Sequence, residues 1–121
     1  MRLFALRGAI SVDRNEAAAI LDATERLMRE VIARNDLVAE RMVSCLFTVT
    51  PDLDAEFPAV AARRIGLNAV PLICAQEIAV SGALPRIIRV LVHYHAPEDH
   101  EPRHCYLEEA TALRLDLADA Q

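Results

Sequence analysis

The stretch Val70-Pro71-Leu72-Ile73-Cys74-Ala75-Gln76-Glu77-Ile78-Ala79-Val80-Ser81-Gly82-Ala83-Leu84-Pro85-Arg86-Ile87-Ile88-Arg89-Val90 decides how this chain folds and where its chemistry lies. Glu77 follows an apolar run with the character of a buried strand, and Arg89 lies inside a second such run, Ile87 to Val92. A carboxylate or guanidinium among core residues is costly to desolvate unless it is paired or has a ligand to bind. Glu77 and Arg89 therefore mark either a functional site or a structural ion pair, and the residues alone leave both readings open.

Working outward, Ala69 to Ala75 and Arg86 to His95 are predicted strands, with Glu77 to Ala83 a short helical or irregular connection. Upstream, Arg41 to Thr50 is mostly apolar and rich in β-branched and aromatic residues, which predicts a strand covered on both faces. Thr50-Pro51-Asp52-Leu53-Asp54 must turn, because Pro51 cannot donate to a ladder while Thr50 and Asp52 can bond nearby backbone. Pro58 suits the first position of a short helix to Ile65, with Gly66 as its stop.

At the start of the chain, Leu3 to Ser11 is a predicted strand carrying Arg7, beside which Gly8 permits a bulge or a close approach. Asp13-Arg14-Asn15-Glu16 has the pattern of a capping box. Ala17, Ile20, Leu21, Thr24, Leu27, Met28, Val31 and Ile32 then repeat at helical spacing up to Asn35-Asp36, the pattern of a one-faced helix lying on a sheet. After the polar loop Pro97-Glu98-Asp99-His100-Glu101-Pro102, alternation predicts a last strand from Arg103 to Arg114. The order β-α-β-α-β-β-β is that of an α+β fold, a small mixed sheet with helices on one face. Because the strands are apolar on both faces, self-association is expected, with a cyclic oligomer setting sheet against sheet.

With 121 residues the chain is expected to form one domain, and no apolar run approaches the length that spans a bilayer. The first residues lack the apolar core of a signal peptide, and Cys45, Cys74 and Cys105 are odd in number and widely spaced, which predicts reduced thiols in a cytosolic protein. A net charge of −5 without a cluster of positive residues excludes nucleic acid as the main partner. All thirteen positive side chains are arginines, planar forks suited to carboxylates and phosphates.

His93, His95, His100 and His104 raise a metal site, but no carboxylate or cysteine stands at ligand spacing from them. No nucleophile elbow and no phosphate-cradling glycine loop is present. What remains is Arg7, Glu77, Arg89 and Tyr106, with Arg63: fixed cations, one carboxylate and a phenol. That kit binds a small polyanion and suits a reaction driven by charge stabilisation and an enforced conformation.

These residues also carry a family resemblance. Leu6-Arg7-Gly8-Ala9, Thr50-Pro51-Asp52-Leu53 with Phe57-Pro58-Ala59, Val70-Pro71, Cys74-Ala75-Gln76-Glu77, Ile88-Arg89-Val90, and Arg103-His104-Cys105-Tyr106-Leu107-Glu108 with Leu113-Arg114 resemble the AroH-type monofunctional chorismate mutases, in one order over nearly the whole chain. The resemblance implies a homotrimer with a pseudo-α/β-barrel core, active sites between adjacent subunits, and cofactor-free pericyclic conversion of chorismate to prephenate in the biosynthesis of aromatic amino acids. It implies that Arg89 bonds the ether oxygen of the breaking bond, that Arg7 and Tyr106 hold the enolpyruvyl carboxylate, and that Glu77 and the Cys74 backbone take the ring hydroxyl. Phe57, Ala59 and Arg63 correspond to a lid and Ile73, Cys74, Ala75, Gln76 and Glu77 to a wall, with Leu113 a further substrate contact. Val60 stands where a lysine is usual. Two alternatives are an enamine or imine deaminase of the RidA type, which resembles this fold and trimer, and a non-catalytic module that binds small anions.

Overall fold

Five strands form one sheet in the order β3-β2-β4-β1-β5: β1 Arg2–Ser11, β2 Met42–Val49, β3 Leu72–Gln76, β4 Ile87–Ala96 and β5 Cys105–Leu107. The structure is a computed structural model that describes residues 1–113. The central strand β4 runs antiparallel to both β1 and β2, while the outer strands β3 and β5 run parallel to β2 and β1. The sheet is thus mixed, as the order of elements predicts.

One face is covered by α1, Ala17–Asn35, and α2, Pro58–Arg64. Helical spacing puts Ile20, Leu21, Thr24, Leu27, Met28 and Val31 of α1 on the buried side. They pack with Leu6 and Ile10 of β1, Phe47 of β2, and Ile88, Val90, Val92 and Tyr94 of β4 in the main core. Gly8 of β1 lies under the helix: a Cβ there would stand 3.2 Å from Leu27 Cδ1, Val31 Cγ2 and the Cys105 carbonyl oxygen. The glycine lets helix and edge strand approach more closely than any side chain would allow.

Three boundaries differ from expectation, each for a visible reason. No capping box forms: the N-cap is Glu16, without a side-chain cap bond, and α1 begins at Ala17. The segment before it serves as a tertiary clamp instead, Asn15 accepting the backbone N–H groups of Asp54 and Ala55 and donating to the Asp54 carboxylate. β3 begins at Leu72 rather than Ala69, directly after Pro71, whose carbonyl accepts the Cys45 N–H. The predicted strand Arg103 to Arg114 shrinks to Cys105–Leu107, because β5 pairs with β1 only as far as Ile10↔Leu107, one residue before β1 ends. Glu108 then takes a left-handed conformation with φ of 54°, ion-paired to Arg26, and Glu108–Ala112 continues as a 3-10 turn. Arg114 lies outside the described residues.

Among the described residues the other face of the sheet carries no α-helix, only the 3-10 turn Glu108–Ala112 against the β1–β5 end. Leu3 is 54% exposed there, Leu46 39% and Ile73 60%. β2, expected to be covered on both faces, is covered on only one within the single chain. Among the described residues no helix is long and apolar enough to cross a membrane.

Gly8→Ala should lower stability by about 1–3 kcal/mol, because the added methyl must push back α1 or the Cys105 backbone. Thermal unfolding reads the change, and an unaltered midpoint would show that helix and strand yield without strain.

Candidate active site

Register alone assembles the centre of the helix-free face. Thr48 of β2 and Ala9 of β1 both pair with Arg89 of β4, while Thr48 also pairs with Ala75 and Ala9 with Tyr106. Paired residues share a face, so Ala75, Thr48, Arg89, Ala9 and Tyr106 form one row across the sheet. Two residues along the strands, Ile73, Leu46, Leu91 and Arg7 form the next row. A cavity of about 220 Å³ opens over both rows, lined by Arg7, Leu46, Thr48, Arg89, Leu91 and Tyr106 among others. Arg7 and Arg89, more than eighty positions apart, share this cavity because β1 and β4 are antiparallel neighbours.

Glu77 reaches the row from just beyond β3. Its N–H donates to the Val49 carbonyl at 2.8 Å, which extends the β2–β3 ladder and fixes its backbone. Arg89 Nε donates to Glu77 Oε2 at 3.0 Å and to Oε1 at 3.2 Å, and Thr48 Oγ1 donates to Oε2 at 2.6 Å. The Glu77 side chain is 18% exposed and that of Arg89 42%. Glu77 thus engages Arg89 through Nε alone, and the two terminal guanidinium nitrogens bond no described residue although the side chain lines the cavity. A purely structural pair gains most from a two-pronged contact through both arms of the fork, which this geometry does not use. The guanidinium of Arg7 likewise has no ion-pair partner among the described residues.

The start of β4 is set by the turn at Thr50 and Asp52. Thr50 Oγ1 donates to Asp52 and accepts the Ile87 N–H, while Asp52 takes the N–H of Arg86. This network holds Arg86 in the left-handed region, φ 48°, and its Nε caps the Val12 carbonyl. Arg89 follows three residues later at a defined height on the sheet. The connection from Glu77 to Arg86 is irregular rather than helical, with Gly82 at φ 85°.

At the far end of the row, Tyr106 packs with Ala9, Ile87 and Ala110 in a second small core that Leu113 and Leu84 border. Next to it, the Arg7 N–H donates to His104 Nδ1 at 3.0 Å, continuing the β1–β5 ladder through a side chain. Desolvation, and then the charge of Arg7, lower the His104 pKa below its ordinary value. A neutral ring suits this bond, since Nδ1 must be unprotonated to accept it.

The remaining predicted site residues do not gather at one place. Phe57, Cys74, Ala75 and Gln76 line a second cavity of about 330 Å³ beside β3. Ile73 is exposed on the helix-free face, Ala59 is buried in the main core, and Arg63 is exposed on α2, so none of these three borders either cavity. The histidines are dispersed: His93 contacts Ser44, His100 contacts the Tyr94 hydroxyl, and His104 serves Arg7. Thr48 was not among the residues singled out by sequence. Its signal is that of a hydroxyl two positions after Leu46 in a strand otherwise apolar along its centre.

Comparison with known proteins gives one consistent result. The family model for chorismate mutase type I matches residues 3–117. The chain is 45% identical over 119 residues to the chorismate mutase AroH of Thermus thermophilus, an alignment that covers 96% of this chain and 97% of that protein. It is 40% identical over 121 residues to the chorismate mutase AroH of Bacillus subtilis (strain 168), with 98% and 94% covered. Among solved structures, a chorismate mutase from Clostridium thermocellum superposes with a TM-score of 0.87 at 41% identity, covering 90% of this chain and 98% of that one. A mixed sheet with helices on one face, and two arginines sharing a cavity on the other, are thus the form that this sequence gives to its family: the chain belongs to the type I chorismate mutases.

Proposed function

We propose that the protein converts chorismate to prephenate, and that the cavity over the Thr48–Arg89–Ala9 row is where the reaction takes place. The observation that carries this reading is the guanidinium of Arg89, oriented through Nε by Glu77 and keeping both terminal nitrogens for a ligand. In the rearrangement the ether C–O bond breaks ahead of C–C bond formation, so negative charge grows on the enolpyruvyl oxygen. A fixed cation waiting at that oxygen stabilises the transition state more than the ground state and needs no reorganisation. Arg7, one row away, takes the enolpyruvyl carboxylate together with Tyr106, while Glu77 accepts the ring hydroxyl beside the Cys74 backbone. Holding the substrate's two arms together in the diaxial form contributes an entropic share of the acceleration. No proton moves to the enzyme and no cofactor takes part.

The working unit is a homotrimer in this proposal. Leu3, Leu46 and Ile73 leave an apolar face that one helix layer cannot cover, and the lid and wall residues Phe57, Cys74 and Gln76 lie around a separate cavity from Arg7 and Arg89. A neighbouring subunit that brings its second cavity over the first completes one site from two chains, with Phe57 and Arg63 at the mouth and Leu113 near Tyr106. A reducing, cytoplasmic setting fits the three free cysteines; burial pushes the Cys45 thiol up to about 12, so it stays protonated.

Arg89→Lys should fold and assemble normally yet lose about 10²–10³ in kcat, the scale for removing one preorganised charge donor. The loss of chorismate absorbance measures it, and a variant within about threefold of wild type would contradict the role, threefold being under 1 kcal/mol in the barrier. Sedimentation at micromolar concentration should give a trimer, and a stable monomer would contradict the shared site.

With saturating chorismate, kcat should be flat across neutral pH and show no solvent isotope effect, because general acid–base catalysis is absent. His104 defines the acid side. The unfolded chain protonates this histidine first, so stability falls as pH drops from about 6.5 towards the lower folded value. Below that value Nδ1 can no longer accept the Arg7 N–H. A bell centred near neutrality, or a large isotope effect with chemistry limiting, would speak for proton transfer of the deaminase kind.

A further inference from the structure

We infer that Thr48 is a positioning residue whose hydroxyl sets the carboxylate of Glu77 and, through it, the guanidinium of Arg89; the inference rests on the proposed roles of those two groups. Thr48 stands directly across from Arg89 on β4 and beside Ala75 on β3, so its side chain meets Glu77 where the latter comes in from beyond the end of β3. Its Oγ1 donates at 2.6 Å to Oε2, the oxygen that also takes the shorter of the two Arg89 contacts.

The physical need for this hydroxyl follows from the way the other two contacts act. The Val49 carbonyl fixes the backbone of Glu77 but leaves its side-chain torsions open. Arg89 Nε touches both carboxylate oxygens at nearly equal distance, 3.0 and 3.2 Å, a contact about which a carboxylate can swivel. A second donor on one oxygen breaks that equivalence. Oε2 is then committed to Thr48 and Arg89, and Oε1, with only the longer Arg89 contact, is the oxygen left to accept a donor from a ligand.

Threonine is suited to the task. Its branched Cβ restricts χ1 in a strand, so the hydroxyl direction is set by the backbone, and a hydroxyl bonded to a carboxylate is stronger than one bonded to a neutral group. Thr48 also lines the cavity itself, so the bond acts at the place where substrate binds.

The test is a comparison of variants by chorismate turnover. Thr48→Val keeps the shape and removes the donor, and should lower kcat/KM about tenfold, the scale for a hydrogen bond to a charged group. Thr48→Ser keeps the donor and should restore turnover to within about threefold of wild type. In a Glu77→Ala background, Thr48→Val should cost nothing further, because the hydroxyl acts only through the carboxylate. Circular dichroism and sedimentation check that each variant folds and assembles, and Thr48→Ala makes the same comparison if Thr48→Val does not fold. An active wild type insensitive to Thr48→Val, a Thr48→Ser variant as impaired as Thr48→Val, or an equal loss in both backgrounds would each overturn the positioning role. A wild-type protein that leaves chorismate unchanged would overturn the proposed reaction, and this role with it.

Discussion

An arginine at the centre of a sheet imposes a constraint that most of this fold answers. Arg89 follows Ile88 and precedes Val90, both buried in the main core, so strand alternation forces its side chain onto the opposite face. There it cannot be covered by apolar groups without a partner for its charge. Glu77 meets that need from one side only, and it does so from a position held by the Val49 carbonyl and the Thr48 hydroxyl. The helices sit on the other face and cannot reach the pair. The pleat itself segregates the pair from the core, placing Glu77 and Arg89 on one face and the packed interior on the other.

The same economy governs how the strands are started and stopped. Thr50 and Asp52 fix the first residue of β4, and Asn35, buried at the end of α1, exchanges hydrogen bonds with both backbone groups of Arg103 just before β5. Each polar residue of this kind stands at the junction of two elements, so that a side chain does the aligning and the ladders inherit the register. Arg7, Arg89 and Tyr106 come from three strands, and their mutual placement is only as accurate as these junctions.

Much of this was legible in the chain. Helical periodicity located α1, and apolar runs located the first four strands, because burial against one core imposes those periods on any sequence. Glu77 and Arg89 stood out as charges in apolar surroundings, and the structure joins them. What escaped were features decided by a distant partner. Asp13 and Glu16 have the local pattern of a cap, but Asn15 is recruited by the Asp54 loop and the helix starts after it. The alternation from Arg103 to Arg114 is sound strand chemistry, yet a strand lasts only as long as its neighbour, and β1 ends at Ser11. Thr48 was invisible for the same reason, since a threonine in a strand is ordinary until a carboxylate is known to arrive opposite it.

The two outermost strands have a consequence of their own. β3 has five residues and β5 three, each running parallel to its inner neighbour; the central strand β4 is paired on both sides, while β5 covers β1 only over Gly8–Ile10. A sheet edge is the usual template for runaway strand addition, and the defence against it is to keep edges short. Among the described residues the backbone open to an incoming strand is confined to the five residues of β3, the three of β5 and the part of β1 before Gly8, while a face of the sheet presents exposed apolar side chains. In the proposed trimer, copies meet through side-chain contacts on that face, which close on themselves, and not through the open-ended ladder by which sheets grow into fibres.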